Sequence, residues 1–186
     1  MKHFLRLIVT VAIALTCLIP AQAAQAGLFG DADTYAEATI YSTTNPNVAL
    51  GYAQFQTTDE GLQVQASLLE VPPGNHGFHI HTTGSCANGG KAAGGHFNPD
   101  EVSHGYLPAD GFNDAHAGDL GNIAIGEDGS GILTLEVSNL SLTSGEYAIA
   151  DRAVILHAEA DDFGQPTGNA GDRIGCGVIQ LSLNAQ

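Results

Sequence analysis

Leu62-Gln63-Val64-Gln65-Ala66-Ser67-Leu68 alternates apolar and polar residues without interruption. Successive side chains of a β-strand point to opposite faces, so this run buries Leu62, Val64, Ala66 and Leu68 and turns Gln63, Gln65 and Ser67 outward. Working outward, Tyr35 to Tyr41, Ile132 to Val137 and Val178 to Leu183 repeat the alternation. Val48 to Thr57, His76 to His81, Leu120 to Ile125 and Ala153 to Ala158 supply four more apolar or β-branched runs of strand length. Turn signals separate them: Thr58-Asp59-Glu60-Gly61, Pro72-Pro73-Gly74-Asn75, Gly126-Glu127-Asp128-Gly129 and Ser144-Gly145. Beyond the N-terminal apolar stretch no segment has a convincing helical period, so the chain reads as an all-β sandwich or flattened barrel of about eight strands. Two long stretches fit no strand, Thr82 to Gly118 and Glu159 to Arg173, and structureless stretches of that length in a compact domain are usually functional.

The N-terminus reads as a targeting segment. Lys2 and Arg6 form a basic start, Leu7 to Ile19 an apolar stretch, and Ala21-Gln22-Ala23 a small-residue cleavage pattern, with Ala24-Gln25-Ala26 as a second site. Residues 1–23 are therefore expected to be a secretory signal peptide cleaved near 23 or 26, and 24–186 a single domain. Thr16 before Cys17 is a poor match to a lipoprotein signal, which argues against a lipid anchor. Export to the periplasm or an equivalent space follows. Cys86 and Cys176 then remain as an even pair, either two buried free thiols or, as an oxidising compartment favours, one disulfide. Without Lys2 and Arg6, three basic residues (Lys91, Arg152, Arg173) face 20 acidic ones, a net charge of −17. That charge argues against nucleic acid and anionic membrane surfaces as partners and repels anions at long range.

Histidine carries the chemistry. Six of the 8 histidines fall in His79-Ile80-His81, His96-Phe97-Asn98-Pro99, His104-Gly105, His116-Ala117-Gly118-Asp119 and Ile155-Leu156-His157. Imidazole suits copper and zinc, and three imidazoles with a carboxylate favour a closed tetrahedral zinc site. Six imidazoles and one aspartate can fill two four-coordinate sites only if one imidazole is shared through its two nitrogens. On a strand His79 and His81 point to one face, and His157 ends a rigid apolar run. His76 fits none of these phrases and reads as a structural histidine bonded to loop backbone.

Gly77-Phe78-His79-Ile80-His81, Gly95-His96-Phe97-Asn98-Pro99, Gly118-Asp119-Leu120-Gly121-Asn122 and Gly168-Asn169-Ala170-Gly171-Asp172-Arg173-Ile174-Gly175-Cys176-Gly177, in that order, closely resemble the copper/zinc superoxide dismutases. The resemblance runs from about residue 34 to 183. It implies an eight-stranded Greek-key β-sandwich or flattened barrel with two long active-site loops. It also implies one copper held by His79, His81, His96 and His157, and one zinc held by His96, His104, His116 and Asp119. His96 is the expected bridge and proton carrier. Asp161 is expected to link a copper histidine, His79, to a zinc histidine, His104. Arg173 is expected to guide the superoxide substrate, and Cys86 and Cys176 to form the family disulfide.

The glycine- and alanine-rich filler between Cys86 and His96 looks like bacterial members. The segment from Glu159 to Arg173 is short and lacks the lysines that family members commonly place there to attract superoxide. Lys91, in a flexible setting, is expected to be solvent-exposed. Animal and bacterial members associate through different faces, so a homodimer is compatible with the sequence without an assigned surface. The rival reading is a periplasmic copper/zinc carrier without turnover, which has no need of Arg173.

Overall fold

The computed structural model describes residues 35–182. The signal segment, both cleavage sites and Cys17 lie outside the described residues, as does Leu183. The strands are β1 (Tyr35–Ser42), β2 (Ala49–Thr58), β3 (Gly61–Leu68), β4 (Gly74–His81), β5 (Asp119–Ile125), β6 (Gly131–Val137), β7 (Ala153–His157), β8 (Arg173–Val178) and β9 (Gln180–Ser182). All pairings between them are antiparallel, in the spatial order β5-β4-β7-β8-β1-β2-β3-β6 with β9 also on β1. The two ends of that order, β5 and β6, approach each other, so the sheet forms a nearly closed barrel. Because β8 and β9 run in succession along β1, they are one strand broken at Ile179, and the eight-stranded all-β reading holds.

The alternation is the packing. Ala36, Ala38 and Ile40 of β1, Ala53 and Phe55 of β2, and Leu62, Val64, Ala66 and Leu68 of β3 are buried together with Phe78, Ile80, Val154 and Leu156 in one core. Each fully buried large aliphatic or aromatic side chain contributes roughly 1.5–3 kcal/mol of transfer free energy. On β7 both faces are buried. Val154 and Leu156 enter the core, while Ile155 packs with Ala93, Ala153 and Cys176 beneath the loop side. Antiparallel pairing sets Phe78 against Leu156, His79 against Ile155 and His81 against Ala153. Phe78 and Ile80 therefore anchor β4 inward while His79 and His81 project from its opposite face.

One expectation is corrected. Residues up to Arg173 read as loop, yet Arg173 opens β8. The strand is hidden because Gly175 and Gly177 remove the periodic signal. They are needed where β8 lies tight on β1 and β7: a Cβ at Gly175 would come within 2.9 Å of Ile40 Cγ2, and one at Gly177 within 2.5 Å of the Thr39 carbonyl oxygen. The stretch 82–118 contains a 3-10 turn (Lys91–Ala93) and one helical turn, α1 (Leu107–Asp110), but no strand. Cys86 and Cys176 form a disulfide, Cα–Cα 5.7 Å, that ties this stretch to β8 across 90 residues. A loop of that size corresponds to on the order of 4–5 kcal/mol in a chain-entropy model.

Candidate metal centre

Three strands and the long stretch 82–118 converge on the barrel's outer face. His79 and His81 come from β4 and His157 from the end of β7. His96 is brought over them by a short backbone bridge to His81, with Phe97 N–H donating to Ile80 O at 2.9 Å. His104 and His116 come from the long stretch, and Asp119 opens β5. All seven side chains are buried.

Their donor atoms form two groups that share His96. His79, His81, His96 and His157 lie within 4.8 Å of one another, and so do His96, His104, His116 and Asp119. A third group, His79, His104 and Asp161, connects them. The carboxylate of Asp161 accepts from His79 Nε2 at 2.7 Å through one oxygen and from His104 Nε2 at 2.9 Å through the other. Asp161 is itself held by Asn122, whose Nδ2 donates to Asp161 O at 2.9 Å and whose Oδ1 accepts from Asp161 N–H at 2.7 Å.

Whether metals fit this arrangement is decided by the atoms with no partner. Four buried nitrogens among the described residues lack a hydrogen bond: His79 Nδ1, His81 Nε2, His104 Nδ1 and His157 Nε2. Each belongs to one of the two groups, and on every one of these rings the other nitrogen is engaged. His81 Nδ1 donates to Gly94 O at 2.9 Å, His157 Nδ1 to Gly171 O at 3.3 Å, and His79 and His104 pair with Asp161. Such outer partners fix tautomer and direction in metal-binding histidines. His104 Nδ1 lies 2.8 Å from Asp119 Oδ2, but off the angle a hydrogen bond needs. An unmet buried polar group costs about 1–3 kcal/mol, so four of them aimed at common points fit metal ions. The donor chemistry agrees: four imidazoles suit copper, and three imidazoles with a carboxylate suit zinc.

Electrostatics divides the groups. Burial drives His81 down to about 2, with His96, Arg173 and His157 pushing the same way against its bond to Gly94. Burial and the proximity of His79 bring His157 to about 3. His96 falls to about 4 because burial outweighs its bond to Asp119. Neutral imidazole is the form that binds a metal. Burial opposes charge on His104 too, but the adjacent Asp119 and Asp161 carboxylates outweigh it and raise this ring to about 9. Burial alone would raise Asp119; the His104, His116 and His96 rings packed against it instead hold it well below the usual carboxylate range.

The chain matches the copper/zinc superoxide dismutase family model over residues 49–179. It is 40% identical over 144 residues to an extracellular Cu-Zn superoxide dismutase of Haemonchus contortus, covering 74% of this chain and 76% of that protein. A second relative, from Caenorhabditis elegans and likewise described as extracellular, is 40% identical over 141 residues, covering 72% of this chain and 62% of the relative. The chain belongs to the copper/zinc superoxide dismutase family. It is accordingly an enzyme, a superoxide dismutase acting on superoxide, with copper and zinc as its cofactors. Solved structures agree on the fold. The clock protein EA4 superposes with a TM-score of 0.71 at 37% identity, covering 82% of this chain and 96% of that one. A double mutant of a SOD-like protein from Bacillus subtilis gives 0.69 at 36% identity, covering 77% and 96%.

The remaining expected residues take these places. His76 joins no metal group; its Nδ1 lies 2.9 Å from His157 O and its Nε2 2.8 Å from Pro72 O, so it braces backbone. Lys91 is exposed on its 3-10 turn. Arg173 is half-buried and donates from Nη1 to Gly90 O at 2.5 Å and from Nη2 to Gly94 O at 2.6 Å. Its charge is felt by His81 and His157.

Several supporting groups are illegible in the sequence. The Gly94 and Gly171 carbonyls orient His81 and His157, yet a backbone acceptor leaves no residue-type signature. Arg152 lies with its guanidinium 3.4 Å from the Phe97 ring centroid and donates to Ala148 O and Thr82 O, bracing the residues that follow His96 and His81. A surface groove of about 760 Å³ is lined by Tyr41, Cys86, Asn88, Cys176, Val178 and Leu181 among others and holds none of the histidines. The chemistry follows donor atoms, not concavity.

Proposed function

We propose that the chain dismutes superoxide at a copper held by His79, His81, His96 and His157, with His96 bridging to a zinc held by His104, His116 and Asp119. The observation that carries this reading is that His96 belongs to both donor groups while His79, His81, His104 and His157 each bring to them one buried nitrogen with no hydrogen-bond partner. When bound, copper supplies a one-electron couple that oxidises one superoxide to dioxygen and reduces a second to hydrogen peroxide with two protons, while redox-inert zinc orders the site. Arg173 supplies a permanent positive charge and donors for the anion. Pinned through both Nη atoms to the loop that carries Gly94, it is oriented before substrate arrives. His96 is the proton carrier: its Nδ1 faces Asp119 at 2.7 Å, leaving Nε2 to take up and release a proton. Asp161 fixes His79 and His104 so that neither ring can rotate independently.

The same reading takes residues 1–23 as a signal removed near 23 or 26 and the mature enzyme as an exported protein of bacterial type, supported by the small-residue cleavage pattern and the disulfide. The exported space is the periplasm or an equivalent compartment in this reading. The reading is compatible with a homodimer, and sedimentation velocity on the mature chain tests that part.

The ligand assignment is tested by metal analysis of two variants. His157→Ala should lose copper and activity but retain most zinc, whereas Asp119→Ala should loosen zinc first. The reverse pattern of depletion would overturn the assignment.

A further inference from the structure

Gln165 lies in the segment between Glu159 and Arg173 and has no part in the centre as built so far. Its Oε1 accepts from the His104 backbone N–H at 3.0 Å, and its Nε2 donates to His104 O at 2.8 Å. One side-chain amide thus reproduces the two-bond exchange that a hydrogen-bonded residue pair makes in an antiparallel sheet. His104 needs such a partner, because residues 101–106 have no helix or strand. Among the described residues no backbone group bonds the His104 amide or carbonyl.

The same segment also grips the His104 ring. Asp161 accepts from its Nε2, and Phe163 lies over it at 18° between planes with centroids 6.5 Å apart. At Gly168, whose φ is +77°, a side chain would run into both Asp161 and His104. Ring and backbone of one histidine are therefore fixed from one loop, by groups of different chemistry.

We propose that Gln165 is a positioning residue that fixes the backbone of His104 and thereby the aim of His104 Nδ1 at the group formed with His96, His116 and Asp119. This rests on the reading of that group as the zinc site. Ligand–metal distances are tolerated within about ±0.2 Å. Backbone freedom in an irregular stretch would exceed that at the ring, so the amide clamp narrows the search His104 must make. Each net hydrogen bond corresponds to about a two- to tenfold population change. Gln165 is exposed and water competes for its amide, which puts the pair near the low end, about fivefold. By linkage, a metal held by His104 strengthens the clamp by the same factor and orders the loop.

The test is Gln165→Met, which keeps the stem length and removes both hydrogen bonds. Hydrogen exchange on the metal-free protein should show the His104 amide losing about fivefold protection, with the β1–β3 amides unchanged. Competition against a chelator should show zinc bound about fivefold more weakly and copper bound as before. Unchanged protection at His104 overturns the proposal, as does lost protection with zinc affinity intact. Equal loss of both metals would also overturn it, by marking a general loosening of the fold. If Asp119→Ala retains zinc at full affinity, the zinc reading of this group fails instead, and amide exchange alone decides the clamp.

Discussion

Asp161→Asn is close to isosteric, and its effect can be worked out from the bonds the carboxylate makes. An ionised carboxylate only accepts, so His79 and His104 must both donate to it from Nε2. Oδ1 takes His104 at 2.9 Å and the Phe163 backbone N–H at 2.8 Å, while Oδ2 takes His79 at 2.7 Å and a longer contact, 3.1 Å, from the same His104 nitrogen. An asparagine has one acceptor oxygen. The Phe163 N–H reaches only the Oδ1 position and the His104 contact is shorter there, so the amide oxygen settles at Oδ1 and the NH₂ group faces His79 Nε2. Two donors in contact are repulsive, and His79 must move its proton to Nδ1, the atom otherwise free of partners and aimed at the His81–His96–His157 group. Copper binding should therefore suffer more than zinc binding. Loss of such an outer partner weakens metal binding by about 10- to 100-fold, or about 1.4–2.7 kcal/mol. Separate chelator competitions for copper and zinc on the same preparation measure this. Asp162→Ala is the control, because its carboxylate is exposed and engages Gly164 and Asn169, not an imidazole. Zinc weakened with copper untouched, or both within twofold of the unaltered protein, would refute the reasoning.

Other outcomes follow from the same geometry. Zinc binding to the metal-free protein at pH 7 should release about one proton, because His104 titrates near 9 and holds its proton below that value; the release should vanish as pH rises through 9. Calorimetry in buffers of different ionisation enthalpy measures it, and zero release at pH 7 refutes it. Thiol labelling of the denatured, unreduced mature protein should tag no cysteine, and reduction should lower stability and activity together, since the disulfide ties the Arg173-bearing strand to the loop of Gly90 and Gly94. Superoxide dismutases work near the diffusional ceiling, so long-range fields show in the rate. With 20 acidic residues and no lysine from 159 to 173, added salt should slow this enzyme weakly or not at all, because repulsion is screened along with attraction. A steep fall with salt would reveal positive steering from another surface. Arg173→Glu should reduce activity far more than Lys91→Glu, since only Arg173 is felt by His81 and His157.

Sequence by itself determined the strands and the ligand types. Alternation in Leu62 to Leu68 works because a strand's side-chain period is two and one barrel face is buried, so the pattern survives without knowledge of partners. The histidine phrases are legible because metal chemistry restricts residue type, and His79 and His81 share a face by strand geometry alone. Tertiary structure decided everything that depends on contacts distant in the chain. Strand β8 is invisible locally because Gly175 and Gly177 were selected by closeness to Ile40 and Thr39, not by periodicity. The sharing of His96 by both groups needed the bridge that lays it over His81. The orientation of the His79, His81, His104 and His157 rings was set by carbonyls of Gly94 and Gly171 and by Asp161, 13 to 82 residues away. Gln165 belongs to the same class: a surface glutamine in a loop is unremarkable in sequence, and only the fold brings its amide to the backbone of His104, 61 residues earlier. Residue chemistry is a local property, whereas the direction in which a lone pair points is set by whichever distant group engages the other nitrogen.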